Sequence, residues 1–182
     1  MINERNALHS YLKERNPSIS DTFAKLVNAH EYQKLLSHSF TPLSQELTEW
    51  MNSSYTKNVL HPEGLIYRSN SGNLLRSKSE SIIDMLLHIN KIPFRYECAL
   101  QLDEFTYFPD FTIRHPLTGK TYYWEHFGLM NNPDYCKKAF LKLKNYSLHG
   151  IIPSINLITT FETKENPLNV DTVQLIISHY FL

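Results

Sequence analysis

The succession of hydrophobic periodicities between Ser77 and Phe161 constrains this chain more than any other feature. Ser77-Lys78-Ser79-Glu80 opens a helix whose apolar stripe is Ile82, Ile83, Leu86, Leu87 and Ile89, and Pro93 lies just beyond its end. Phe94, Tyr96, Cys98, Leu100 and Leu102 then alternate with Arg95, Glu97 and Gln101, the period of a half-buried strand. Tyr107 to Arg114 and Thr121 to His126 read as two further strands, joined by His115-Pro116-Leu117-Thr118-Gly119-Lys120. Asn132-Pro133 starts a helix that runs to Gly150, and Ile155 to Phe161 reads as a buried strand. A last helix from Asn169 carries Val170, Val173, Ile176, Ile177 and Tyr180. An antiparallel meander between helices, with one more strand after a crossover, predicts an α/β sandwich with a mixed central sheet.

Upstream the texture differs. The first 63 residues contain no glycine and read as helical: residues 2–15, ended by Pro17; residues 21–38, with Phe23, Leu26, Val27, Leu35 and Leu36; and a third helix from Thr41-Pro42 with Leu43, Leu47, Trp50 and Met51. The expected division is therefore an N-terminal helical region, 1–63, and a core, 64–182. The core begins with a short strand candidate at Leu65-Ile66-Tyr67 and a turn at Ser71-Gly72-Asn73.

Composition excludes several classes. With 42% hydrophobic and 13% aromatic residues, and Lys+Arg 18 balancing Asp+Glu 18, the chain is not a disordered one. No apolar run approaches the roughly 18–20 residues of a membrane span. The start, Met-Ile-Asn-Glu-Arg-Asn, lacks the basic-then-apolar pattern of a secretory signal. Two cysteines, Cys98 and Cys136, make neither a disulfide framework nor a four-sulfur zinc site, and the expected compartment is a reducing, cytoplasmic one. Neutral net charge argues against a coat-like nucleic-acid binder but leaves room for an enzyme with local basic patches.

Carboxylates carry the chemistry. Pro116-Leu117-Thr118-Gly119 suits a type I turn, and a hairpin centred between Leu117 and Thr118 sets Asp110 directly opposite Glu125, Cβ atoms about 5 Å apart. Two such carboxylates repel unless a cation lies between them or one stays protonated, and hard oxygen ligands so spaced suit Mg²⁺ or Mn²⁺. Ser77-x-x-Glu80 has the form of a capping box, in which Glu80 bonds back to the Ser77 amide. His126, between aromatic neighbours, reads as a packed histidine. At 100° per residue, Tyr135, Lys142 and Tyr146 share one side of their helix.

The string from Arg76-Ser77-Lys78-Ser79-Glu80 through Tyr96-Glu97, Phe108-Pro109-Asp110-Phe111 and Trp124-Glu125-His126-Phe127-Gly128 resembles the PD-(D/E)XK nuclease superfamily. More narrowly, it resembles an uncharacterised bacterial branch with a Trp-Glu-His-x-Gly third strand. The resemblance covers residues 64–182 and implies a restriction-endonuclease-like αβββαβ core. It implies metal ligation by Asp110, Glu125, the acidic Glu80 and the backbone carbonyl of His126, with Mg²⁺ (or Mn²⁺) as cofactor and phosphodiester hydrolysis as the reaction. The expected substrate is nucleic acid, DNA before RNA, in defence, repair or a mobile element.

One departure stands out: the family's lysine, two residues after the second-strand acid, is Phe127 here. Lys142-x-x-x-Tyr146 resembles the Gln-x-x-x-Tyr that some relatives carry on the following helix, so Lys142 is the candidate replacement, completing a catalytic set of Glu80, Asp110, Glu125 and Lys142. Arg76, Lys78, Lys138 and Tyr146 are candidate nucleic-acid contacts. The competing expectation, favoured by Phe127, is a degenerate nuclease fold that binds nucleic acid or a protein partner without cleavage.

Overall fold

A computed structural model of the chain describes residues 45–182; the expected helices at 2–15 and 21–38 lie outside the described residues. Glu46–Leu182 forms one compact unit. Among the described residues it is an α/β structure with helices at 45–52 (α1), Lys78–Ile89 (α2), Pro133–Leu148 (α3) and Val170–Phe181 (α4). Its strands are Tyr67–Arg68 (β1), Leu74–Leu75 (β2), Phe94–Tyr96 (β3), Leu100–Leu102 (β4), Phe105–Tyr107 (β5), Phe111–Arg114 (β6), Thr121–Phe127 (β7) and Leu157–Phe161 (β8). No helix among the described residues is long and apolar enough to cross a membrane.

Each long helix starts where its side chains can satisfy exposed amides. Ser77 Oγ accepts from the Glu80 N–H, Asn132 Oδ1 from Asp134 and Tyr135, and Asn169 Oδ1 from Thr172.

The central sheet has four strands in the order β3-β6-β7-β8. The first three are antiparallel neighbours, and β8 returns parallel to β7 after α3, so the sheet is mixed. Between β6 and β7 the loop closes with the Gly119 N–H on the His115 carbonyl, and Gly119 takes the left-handed conformation at φ 66°. The register that follows pairs Phe111 with Trp124 and Arg114 with Thr121, the alignment expected from the turn.

Alternation divides the sheet's faces. Phe111, Ile113, Trp124 and Ile158 pack with Ile83, Leu87, Val173 and Ile177 from α2 and α4. The opposite face presents Tyr123 and Leu157 to Tyr146 and Leu143 of α3. Burying these apolar side chains from both faces supplies most of the drive to fold, at about 25 cal/mol per Å².

Two long strands of the sequence reading are each broken in two. The pairings Tyr96↔Phe111 and Leu100↔Tyr107 belong to one hairpin in continuous register, interrupted at 97–99 and 108–110. Pro109 has no N–H to give a ladder, and Glu97 adopts φ 45°. The freed segment pairs instead with residues 56–58: Lys57 bridges Cys98, and Ala99 N–H donates to the Thr56 carbonyl. Residues 46–63, grouped with the N-terminal region in the sequence reading, thus dock on the core. Arg95 binds the Trp50 carbonyl and lies 4.5 Å over the Trp50 ring.

Candidate active site

The break in the hairpin is what shapes the site. Asp110 sits one residue before β6, so its carbonyl still accepts from the Glu97 N–H while its side chain turns toward β7. There Asp110 Oδ2 accepts a 2.6 Å bond from the backbone N–H of His126. Because Phe111 points to the α2/α4 face, Asp110 falls on the α3 face, as does Glu125, the neighbour of buried Trp124. The two carboxylates line one cavity of about 210 Å³ with His126, Phe127, Tyr135, Lys138, Ala139 and Lys142.

Helix α3 supplies the partners for Glu125, which is 2% exposed. Lys142 Nζ lies 2.7 Å from its carboxylate, and Tyr146 Oη donates to Glu125 Oε1 at 2.8 Å. Tyr135, on the same side of the helix, accepts from the Gly128 N–H at 3.3 Å. Burial raises the pKa of Asp110 well above the usual carboxylate range, and the nearby Glu125 charge adds to this. Burial raises Glu125 as well, against the opposing pull of Lys142. For Lys142, burial works against the charge, but the two carboxylates outweigh it and hold the ammonium above its ordinary value.

The backbone of β7 contributes too. Tyr123 N–H and the Phe127 carbonyl bond toward β8, so by ladder parity the N–H and carbonyl of His126 point the other way, toward Asp110. The His126 ring lies on the opposite face, packed and 2% exposed, with Nδ1 3.0 Å from Thr160 Oγ1 and Nε2 3.3 Å from Glu162 Oε1. Glu162 is tied in by Ser79 Oγ at 2.6 Å and by the Leu168 N–H. A Cβ at Gly128 would come within 3.3 Å of Glu162 Oε1, which accounts for the glycine in the Trp-Glu-His-x-Gly string.

Glu80 does not complete the cluster. It is 8% exposed and neither closes a capping box nor reaches solvent. Its Oε2 accepts from Tyr96 Oη at 2.6 Å and from the Arg76 N–H at 3.0 Å, and it does not line the cavity. Its charge is nonetheless felt at Asp110 and Glu125. Among the described residues no three His, Cys, Asp or Glu side chains group closely enough to hold a metal ion. The donor set on the cavity is therefore two carboxylates and a backbone carbonyl, and that suits a small hard cation retaining several waters.

The expected nucleic-acid contacts divide. Lys138 is exposed at the cavity, and Lys78 is exposed on the first turn of α2. Arg76 is committed internally: its guanidinium grips Glu97 at 2.7 and 3.1 Å and the carbonyls of Leu60 and His61. Tyr146, at 0% exposure, is a buried donor to Glu125 and presents nothing to a surface ligand.

Glu162, Ser79 and Thr160 escaped the sequence reading because their meeting depends on the parallel β7–β8 register, His126 beside Thr160. No local spacing carries that information. No family model, no curated protein and no solved structure matches this chain.

Proposed function

We propose that the cavity is the active site of a divalent-metal-dependent nuclease on a restriction-endonuclease-like core, hydrolysing phosphodiester bonds of nucleic acid, DNA foremost. The observation carrying this reading is the convergence of Asp110, Glu125 and Lys142, with Lys142 Nζ 2.7 Å from the Glu125 carboxylate. Two carboxylates on one cavity, both held above the usual carboxylate range by burial, are an arrangement a bound Mg²⁺ or Mn²⁺ would relieve. Asp110, Glu125 and the His126 carbonyl would hold the ion, which when bound supplies Lewis-acid activation of water and phosphate. The His126 N–H fixes the rotamer of Asp110, and Tyr146 fixes that of Glu125. Lys142, which reaches the cavity beside Glu125, would donate to the charge that builds on the phosphate in the transition state, the part Phe127 cannot play.

The second reading, a nuclease fold that binds nucleic acid or a protein partner without cutting, is favoured by the buried Phe127 and by the absence of a third acid on the cavity among the described residues. Cleavage of double-stranded plasmid and of single-stranded circular DNA with Mg²⁺, Mn²⁺ or EDTA, alongside Mn²⁺ binding by electron paramagnetic resonance, separates the two. Cleavage that needs the ion and stops in EDTA supports the nuclease. Cleavage that persists in EDTA overturns the mechanism, and Mn²⁺ binding without cleavage favours the binder.

A further inference from the structure

Phe127 occupies the place of a lysine, yet it does not simply fill core. It borders the cavity beside Glu125, and its ring lies nearly parallel to Phe161, centroids 5.3 Å apart at 15°. Phe161 is its direct neighbour across the parallel ladder and lies on the same face of the sheet. Phe127 is 3% exposed, whereas Phe161, on the edge strand β8, is 49% exposed. Phe127 thus packs against the Phe161 ring, and about half of Phe161 is left to solvent. Phe127 lies two positions along β7 from Glu125, about 7 Å, and Phe161 lies one strand further across, about 5 Å from Phe127. The exposed Lys138 lines the same cavity and supplies a positive charge for the backbone.

A flat, rigid π-face beside a phosphate-handling cleft has one ready use, to stack a nucleobase. A base inside a duplex is already stacked on both sides, so only an unpaired base has a face to offer. We infer that Phe161, backed by Phe127, is a stacking platform for an unpaired base next to the reacting phosphate, so that the substrate class is single-stranded nucleic acid or a frayed end. This rests on the nuclease reading of the cavity. Stacking on an aromatic is tolerant of base identity, so the platform would hold an unpaired base whatever its sequence.

The test uses the full chain carrying Asp110→Asn, which stops cleavage under the proposed mechanism, with a labelled 15-nucleotide thymidine strand and a duplex of equal length, read by fluorescence anisotropy with Mg²⁺ present. The expected result is tighter binding of the single strand, weakened roughly 5- to 100-fold by Phe161→Ala, the range of base–aromatic stacking. Duplex binding stays as it was. Phe161→Leu, which keeps apolar bulk but loses the ring, should weaken binding in the same way with an unchanged melting temperature. Phe161→Trp should retain affinity, with its added fluorescence quenched on binding. Equal single-strand affinity in the Ala, Leu and parent chains, preference for duplex, or no binding of either probe overturns the platform. Metal-dependent cleavage of duplex DNA that is indifferent to Phe161 would remove the platform and leave the nuclease standing. Phe161-dependent binding, with no cleavage of the single strand by the wild-type chain in Mg²⁺ or Mn²⁺, would do the reverse.

Discussion

Lys142 Nζ stands 2.7 Å from the carboxylate of Glu125, a residue 2% exposed, while Asp110 in the same cavity has no cation of its own at that distance among the described residues. The two acids should therefore respond oppositely to neutralisation.

Asp110→Asn removes a charge that burial and Glu125 both disfavour, and the amide oxygen can still accept from the His126 N–H. The metal-free variant should be more stable at pH 7 by about 1 kcal/mol, roughly 2–4 °C in Tm. Glu125→Gln instead strands the Lys142 ammonium. That side chain is 28% exposed, so water recovers part of the loss, and the cost should be about 1–3 kcal/mol rather than the full penalty of a buried orphan charge. Adding Lys142→Met to Glu125→Gln should restore much of it. Thermal melts of the single and double variants in EDTA check the signs. A stabilised Glu125→Gln chain would show that the ion pair holds nothing in place.

Gly128 offers a steric prediction. Its missing Cβ would lie 3.3 Å from Glu162 Oε1, and Glu162 cannot retreat freely because Ser79 Oγ holds it at 2.6 Å. Gly128→Ala should destabilise by about 1–2 kcal/mol through this overpacking. Urea denaturation measures it, and adding Ser79→Ala, which loosens Glu162, should shrink the Gly128→Ala effect.

His149 caps α3 and should titrate high. Nδ1 faces the Asn145 carbonyl at 2.7 Å and Nε2 faces Asp103 Oδ2 at 2.8 Å, so both ring nitrogens serve best as donors, which requires the imidazolium. The Asn145 carbonyl and then Asp103 raise its pKa above 6.5. With the folded value above the unfolded one, its contribution is complete below the unfolded pKa and fades as pH rises through the folded pKa. NMR titration should find the raised value, and Asp103→Asn should lower it part of the way, since the Asn145 carbonyl remains. An unshifted His149 in the wild-type chain would contradict the cap.

How far the site was readable depends on which contacts are local. The Asp110–Glu125 alignment follows from one turn, and the shared side of Lys142 and Tyr146 follows from helical spacing; neither needs the rest of the fold. The interruption at 97–99 is different. Apolar alternation continues from Tyr96 to Leu102, yet Glu97 takes φ 45° and its carboxylate pairs with Arg76, 21 residues earlier. Pro109, which has no N–H to donate and stands inside the strand expected from Tyr107 to Arg114, is the local signal that could have marked the break. The diversion of Glu80 to Tyr96 and the Glu162–His126 contact arise in tertiary packing, where a side chain's partner is fixed by sheet order and not by its neighbours in the chain.

Lys142 separates the enzyme from the non-cleaving binder, because it now covers the Glu125 oxygens that a metal ion would take. If the cation displaces it, Lys142→Ala removes a competitor as well as a transition-state donor. Mn²⁺ affinity should then rise or hold, while single-turnover cleavage falls roughly 10²–10³-fold, the scale for losing one such donor. Nucleic-acid affinity should change little, and its salt dependence should stay the same, because the ammonium is spent on Glu125 and not on the backbone phosphates before the ion binds. A lysine that merely neutralises a buried acid gives another pattern: metal affinity rises, but the cleavage rate at saturating Mn²⁺ matches the wild-type chain. Metal titrations and single-turnover rates at two salt concentrations distinguish the two, and an unchanged rate would take Lys142 out of the chemistry.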